Sequence, residues 1–313
     1  MDELGHLHDD GVFLRREALA FGYEDRDLTR AVRAGVLHRI RQGAYVAAPT
    51  GATADLTERH RLRCTAVLLT HGHRVALSHG SAAVHHDMRL WKVPLQRVHV
   101  LRLDGGPGRV CGDVVYHAGS WVPDDIWQLG DRLLTSPARA AVETASLVGV
   151  ERALVIFDGA IDLDLAKPEE LAAMYQRVDG WPQTQHLQVP IRLMRPGAQS
   201  VGETRSRYLC WTPGLPEPQL QFKVRNEMGM LVGIADMAWP EHGVLGEFDG
   251  KVKYGRLLLP DETPGEAVFR EKRREDEMRR ITGFTFARLI WWDLERPRAT
   301  ASKIRRQLGL RAA

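Results

Sequence analysis

Cysteine is scarce in this chain: Cys64, Cys111 and Cys210 are scattered and odd in number. That excludes a disulfide framework, and no CxxC pair offers a zinc ribbon. No apolar run approaches the ~18 residues of a membrane span. The N-terminus, MDELGHLHDDG, is acidic and polar rather than secretory or transit-like, so the expected location is cytoplasmic. Charge of one sign is also lacking, with 43 Lys and Arg against 40 Asp and Glu. Nucleic-acid contacts must therefore come from local patches. There is no internal repeat, and no G-x-S-x-G elbow that would mark a serine hydrolase.

What is present is an ordinary globular composition, 44% hydrophobic and 27% charged over 313 residues, enough for two or three cores. The pattern reads as multi-domain α+β, in three regions. Residues 1–50 form a helix-helix-hairpin pattern, residues 51–195 mix helical and strand signals, and residues 196–313 read helix, three strands, helix, strand, helix.

In the first region Arg15 to Phe21 reads as a short helix with Leu19 inward. A second helix starts near Glu24-Asp25, whose carboxylates suit a helix N-terminus. Leu28, Ala31 and Val32 make its apolar stripe. Arg26, Arg30 and Arg33, at i, i+4 and i+7, line the opposite face. Gly35 ends the helix, and Leu37 to Val46 is a hairpin carrying Arg39 and Arg41. An arginine-lined helix followed by a basic wing suits docking on double-stranded DNA, the helix at base edges and the wing at phosphates. Arginines at helical spacing are also what a solvated face looks like; the order of helix, Gly turn and wing favours DNA.

This stretch, GVFLRREALAFGY followed by LTRAVRAGVLHRIRQGAYV, resembles the winged helix-turn-helix domain of AbiEi-type antitoxins. The likeness extends more loosely to about residue 150, through TERHRLRCTAVLL and ALSHGSAAVHH. It implies DNA binding, autoregulation of a toxin-antitoxin operon and a cognate toxin partner. It does not imply an enzyme.

In the middle region, Thr57 to Leu69 and Ser136-Pro137 to Leu147 read as helices, the latter with Arg139 and Glu143 as an i,i+4 pair. Arg97 to Leu103 and Val110 to Tyr116 read as strands joined through Asp104-Gly105-Gly106-Pro107-Gly108. His71, His73, His79, His85 and His86 crowd together, but their spacings match no zinc motif. They are expected to be surface or packing residues.

The last region holds the densest chemistry. If Val244 to Tyr254 is extended, Leu245, Glu247, Asp249, Lys251 and Lys253 share one face. The preceding strand, Leu231 to Trp239, is apolar apart from Asp236. A tight turn at Pro240-Glu241-His242-Gly243 would set Asp236 opposite Glu247, Cβ atoms roughly 5 Å apart. Such carboxylates repel unless a cation joins them, which suits Mg²⁺ or Mn²⁺. A solvated charged hairpin is the plain alternative.

The stretch resembles the PD-(D/E)xK nuclease superfamily, in particular its Vsr-like domain, a restriction-endonuclease-like α/β fold with a central mixed sheet. The resemblance covers about residues 198–295. It implies a first-helix glutamate at Glu203, then Asp236, then Glu247-Phe248-Asp249-Gly250. Asp236, Glu247 and Asp249 would be metal ligands and Lys251 or Lys253 the catalytic lysine. Asp249-Gly250-Lys251 matches D-x-K, whereas Asp249 stands where E-x-K has lysine. Ser200-x-x-Glu203 is also a capping box, which by itself explains Glu203. In the following helix Glu271 pairs with Arg274 and Glu275 with Arg279, and Lys272 or Arg279 would lie near a phosphate. The combined expectation is a DNA-binding protein with a Mg²⁺-dependent endonuclease-like domain, in phage defence or a toxin-antitoxin system. The alternative is an AbiEi-type autorepressor with a catalytically degenerate nuclease fold.

Overall fold

Three short strands and two helices open the chain because small apolar residues recur at the spacing each element needs. In the computed structural model, which describes residues 6–8, 10–48, 50, 54–211, 215–250 and 263–311, they are β1 (Phe13–Leu14), α1 (Arg15–Ala20), α2 (Asp25–Arg33), β2 (Leu37–Arg41) and β3 (Ala44–Ala47). The strands form an antiparallel sheet in the order β1-β3-β2. Gly35, at φ +68°, stops α2, and Gly43, at φ +73°, turns β2 into β3, both in the left-handed region that favours glycine. Phe13, Ala18, Leu28, Ala31 and Leu37 form one small core. Ala18 occupies the inward position of α1; Leu19, expected there, is 37% exposed.

The other face of this sheet, Val12, Leu14, Ala44 and Val46, packs with Leu62 and Ala66 of α3 (Leu56–His71). A boundary at residue 50 would split that core. Residues 1–192 accordingly make one compact unit and residues 193–313 a second.

The remainder of the first unit is built on a six-stranded mixed sheet: β4 (Val75–Leu77), β5 (Val98–Arg102), β6 (Arg109–Cys111), β7 (Val114–His117), β8 (Ile126–Leu129) and β9 (Arg132–Thr135), in the order β6-β7-β5-β4-β9-β8. The run expected as one strand from Val110 to Tyr116 is two, because Gly112 at φ +58° turns the chain. β7 then lies parallel to β5 rather than closing a hairpin with it. Helices α4 (His79–His85), α5 (Pro137–Ser146), α6 (Val150–Asp162) and α7 (Pro168–Val178) bury their apolar residues. α8 (Gln188–Leu193) carries the chain past the division at 192/193.

The second unit runs α9 (Val201–Cys210), β10 (Gln219–Arg225), β11 (Leu231–Trp239), β12 (Val244–Phe248), α10 (Pro264–Thr282), β13 (Thr285–Leu289), α11 (Trp291–Leu294) and α12 (Pro297–Gln307). Its sheet order is β10-β11-β12-β13, antiparallel except for the parallel pair β12 and β13. Met237, Trp239, Val244 and Phe248 face a core shared with α9 and α12, while Leu245, Met278 and Phe286 form a second core with α10. The strand expected to run to Tyr254 ends at Phe248; Lys251 and Lys253 lie outside the described residues. The apolar run Thr285 to Trp292 is a strand only to Leu289, after which Trp291 starts a helix.

Candidate functional site

Three clusters place functional side chains together. The first is the arginine face of α2. With Leu28 and Ala31 buried, Arg26, Arg30 and Arg33 stand exposed on the opposite side. Arg26 lies 2.9 Å from Glu24, and Arg30 lies 3.7 Å from Asp27. Such exposed pairs are weak and exchange readily for phosphates. On the wing Arg39 is exposed and donates to the Arg41 carbonyl at 3.4 Å. Arg41, expected to reach DNA, instead grips Asp113 through two bonds of 3.2 and 3.0 Å and is only 17% exposed. A bidentate arginine–carboxylate pair is a fixed structural contact, so Arg41 ties the wing to the β6–β7 turn.

The second cluster is the acidic hairpin. β11 and β12 pair with Met237 opposite Gly246, and continuing that register sets Asp236 opposite Glu247. Asp236 Oδ2 accepts the Phe248 backbone N–H at 2.8 Å. Glu247 is buried beneath α10 and accepts from the Arg274 guanidinium at 2.7 Å. Burial pushes the Glu247 carboxyl upward; Arg274 opposes this, while Asp236 and Glu271 add to it. Arg274 also donates to Glu271 at 2.5 Å and to the Ile234 carbonyl at 3.1 Å. Asp249 is beyond the end of β12, its N–H bonded to the Leu289 carbonyl, and its carboxylate lies 4.0 Å from Arg288.

Glu203 is buried on the first turn of α9. Its oxygens accept from the Ser200 hydroxyl at 2.7 Å and the Gln199 N–H at 2.8 Å, while Ser200 caps the Glu203 N–H. Ser200 thus caps the helix as its sequence position suggests, but the Glu203 carboxylate returns to the Gln199 N–H and the Ser200 hydroxyl rather than to the Ser200 N–H, so the reciprocal half of the capping box is replaced. Gln221 bonds Glu203 at 3.4 Å and sits at φ +50°, between Leu220 opposite Met237 and Phe222 opposite Ala235. A non-glycine residue in the left-handed region of a strand is strained, and it faces Asp236 by register.

The fit to Mg²⁺ follows from this donor set. Among the described residues Asp236, Glu247, Asp249 and Glu203 do not bring three ligand oxygens within 4.8 Å of one another. Arg274 neutralises Glu247 where a cation would stand. As arranged, these residues do not form a metal cage. The helix α10 is also less solvated than its charge suggested. Glu275 is buried, pairing with Arg279 at 2.5 Å and with Arg288, while Lys272 is exposed.

The third cluster was invisible as a motif. His79, His99 and His117 bring ligand nitrogens within 4.8 Å of one another. His79 belongs to the histidine-rich stretch, but His99 and His117 lie 20 and 38 residues further on (99 − 79 and 117 − 79), on two different strands. Only the parallel register of β5 and β7, with Leu101 opposite His117, unites them. The packing expectation holds for His85 and His86, and His60, outside that stretch, is buried as well. Burial first, and nearby arginine charge second, takes His60 to about 4 and His85 to about 3; burial also lowers His86. These imidazoles are therefore neutral at physiological pH.

Two uncharacterized proteins of Mycobacterium tuberculosis, from strains CDC 1551/Oshkosh and H37Rv, are each 28% identical over 184 residues. The match takes in 58% of this chain, and the chain spans 64% of those relatives' length. Residues 6–48, the segment that carries α1, α2 and the wing, match the family model of the AbiEi antitoxin transcriptional regulators.

Proposed function

We propose that this chain is a DNA-binding transcriptional regulator of a toxin-antitoxin operon, acting with a cognate toxin. The observation that carries this reading is the exposed row Arg26, Arg30 and Arg33 on α2, beside the Arg39 wing, within the segment that matches antitoxin regulators. The helix would lie in the major groove and Arg39 would meet an adjacent phosphate. Arg41 takes no part, since Asp113 holds it. The experiment is a gel shift on DNA from upstream of the gene. Arg30→Ala should weaken binding, and the loss of one phosphate contact should flatten the salt dependence by about one unit of log–log slope. Unchanged binding by Arg30→Ala, Arg33→Ala and Arg39→Ala together would remove α2 and the wing from the interface.

A second reading is favoured by a separate observation. The second unit has the order helix, three strands, helix, strand, with Asp236 opposite Glu247 at the edge of the parallel pair. That order and pairing support a nuclease-type fold. The Arg274 bridge to Glu247 supports the catalytically degenerate form of it, a scaffold rather than a phosphodiesterase. Plasmid cleavage with Mg²⁺ or Mn²⁺ decides between them. Cutting by the natural chain that Asp236→Ala and Glu247→Ala each abolish would establish the enzyme; no cutting leaves the regulator alone.

A further inference from the structure

The structure assigns a transition-metal site of the Zn²⁺ class to His79, His99 and His117 in the first unit. It does not depend on the DNA-binding or nuclease readings.

The three rings come from three elements: the first residue of α4, the second position of β5 and the last of β7. His99 and His117 share a face of the sheet because residues 99 and 101 oppose 115 and 117. The His99 Nδ1 lies 2.9 Å from His117 Nε2, and the His79 and His117 rings stack at 3.8 Å. A hydrogen-bonded imidazole pair accounts for one contact only. Among the described residues no protein group bonds His79 Nε2, His99 Nε2 or His117 Nδ1. In a tetrahedral site with Zn–N near 2.0–2.1 Å, ligand nitrogens stand roughly 3.4 Å apart. The ligand nitrogens of all three histidines lie within 4.8 Å of one another.

Two further features are what a metal-binding imidazole needs. His79 Nδ1 lies 3.1 Å from the Ser78 hydroxyl and 3.7 Å from Glu143 Oε2. A carboxylate behind a ligating histidine fixes its orientation and raises its basicity. Glu143 is itself held at 2.8 Å by the buried Arg139 and accepts the His79 backbone N–H at 3.2 Å. In addition, His79 adopts φ +49°, the left-handed region, a strained conformation that the surrounding structure must sustain. That backbone twist is what carries its ring over the two strands.

Chemistry selects the ion. Three imidazoles with no thiolate, on an all-nitrogen set, suit Zn²⁺, Co²⁺, Ni²⁺ or Cu²⁺ and not Mg²⁺ or Ca²⁺. Three protein ligands leave a fourth position open. His99 also lines a cavity of about 360 Å³ with Gly80, Val93, Pro94, Arg97 and Val115, large enough to admit water or a small anion to that ring.

The test is titration of the full, chelator-treated chain with Co²⁺ alone, followed by displacement with Zn²⁺. The expected result is one Co²⁺ per chain with the intense visible bands of a four-coordinate ion, bleached by Zn²⁺. His99→Gln and His117→Gln, each checked for an unchanged far-UV circular dichroism spectrum, should weaken binding at least about 100-fold, more than the 10–100-fold of an outer carboxylate. Glu143→Gln should weaken it about 10-fold, and exposed His73→Ala should leave it unchanged. Absence of four-coordinate Co²⁺ bands in the natural chain overturns the assignment whatever the variants do. So does binding that survives in folded His99→Gln, since the ion would then sit elsewhere.

Discussion

Replacing Arg139 by methionine should cost far more than the sequence suggests. By spacing, Arg139 and Glu143 are an i,i+4 pair on a helix, which at a surface contributes about 0.3–0.5 kcal/mol. In the fold Arg139 is 1% exposed and bonds Glu143 at 2.8 Å, Asp125 at 2.8 Å and the Ser120 carbonyl at 3.1 Å. Asp125 keeps a second arginine, Arg177, through bonds of 2.8 and 2.7 Å, so methionine does not strand it. Burial pushes the Asp125 carboxyl up, but its bonds to Arg177 and the Val122 N–H, with the Arg139 charge, carry it below its ordinary value. Glu143 has less reserve: among the described residues it keeps the Thr135 hydroxyl at 3.3 Å, the His79 N–H at 3.2 Å and the His79 ring at 3.7 Å, with no second guanidinium. Leaving one partner of a buried pair uncompensated costs about 3–5 kcal/mol. For a unit of this size that is a fall in Tm of roughly 6–20 °C, at about 2–4 °C per kcal/mol. Calorimetry with chelator present reads it, and adding Glu143→Met should restore most of the loss. A single-variant cost within about 0.5 kcal/mol would refute the buried-network account.

Two further outcomes follow from the packing. His60 bonds the Leu95 carbonyl and the Ser81 hydroxyl, both at 2.9 Å, and burial takes it from 6.5 to about 4. The unfolded chain therefore binds a proton that the folded chain does not between those values. Its stability contribution is whole above pH 6.5 and declines as pH falls toward 4, amounting to about 2 kcal/mol between pH 7 and pH 5. Urea unfolding of His60→Gln should lose about that much less over the same interval; parallel pH profiles would contradict the burial argument. In the second unit a Cβ on Gly202 would drive into the buried Phe248 ring. Gly202→Ala should destabilise that unit by about 1–3 kcal/mol by denaturant melt, despite alanine's better helix propensity. A gain in stability would show that α9 can move off β12.

The elements of the first fifty residues were legible because they obey local rules: apolar residues at helical spacing, Gly35 and Gly43 at left-handed turns, and alternation through the hairpin. The register of Asp236 against Glu247 was legible too, since a short turn leaves few pairings. Arg41 was misread because its partner Asp113 is 72 residues away, and nothing local distinguishes a wing arginine held by a carboxylate from one facing phosphate. The end of β12 escaped for a related reason. Alternation continues in the sequence to Tyr254, but strand pairing to β13 stops at Phe248 opposite Leu289. The three histidines could not have been grouped from their spacing, because only parallel pairing of β5 with β7 assembles them. Chemistry held within one hairpin is readable; chemistry assembled by a crossover is not.

The core shared by β1, β3 and α3 has a consequence for how DNA would be searched. A reading head on a flexible tether explores many orientations and adapts to variable half-site spacing. Here Leu62 and Ala66 pack against the sheet that carries the arginine helix, so under the proposed function the first unit would meet a duplex as one solid. It surrenders less internal freedom on docking. In return it cannot stretch. If two copies bind one operator, their spacing is set by the dimensions of the body, and operators differing by a few base pairs are rejected geometrically rather than by any base contact.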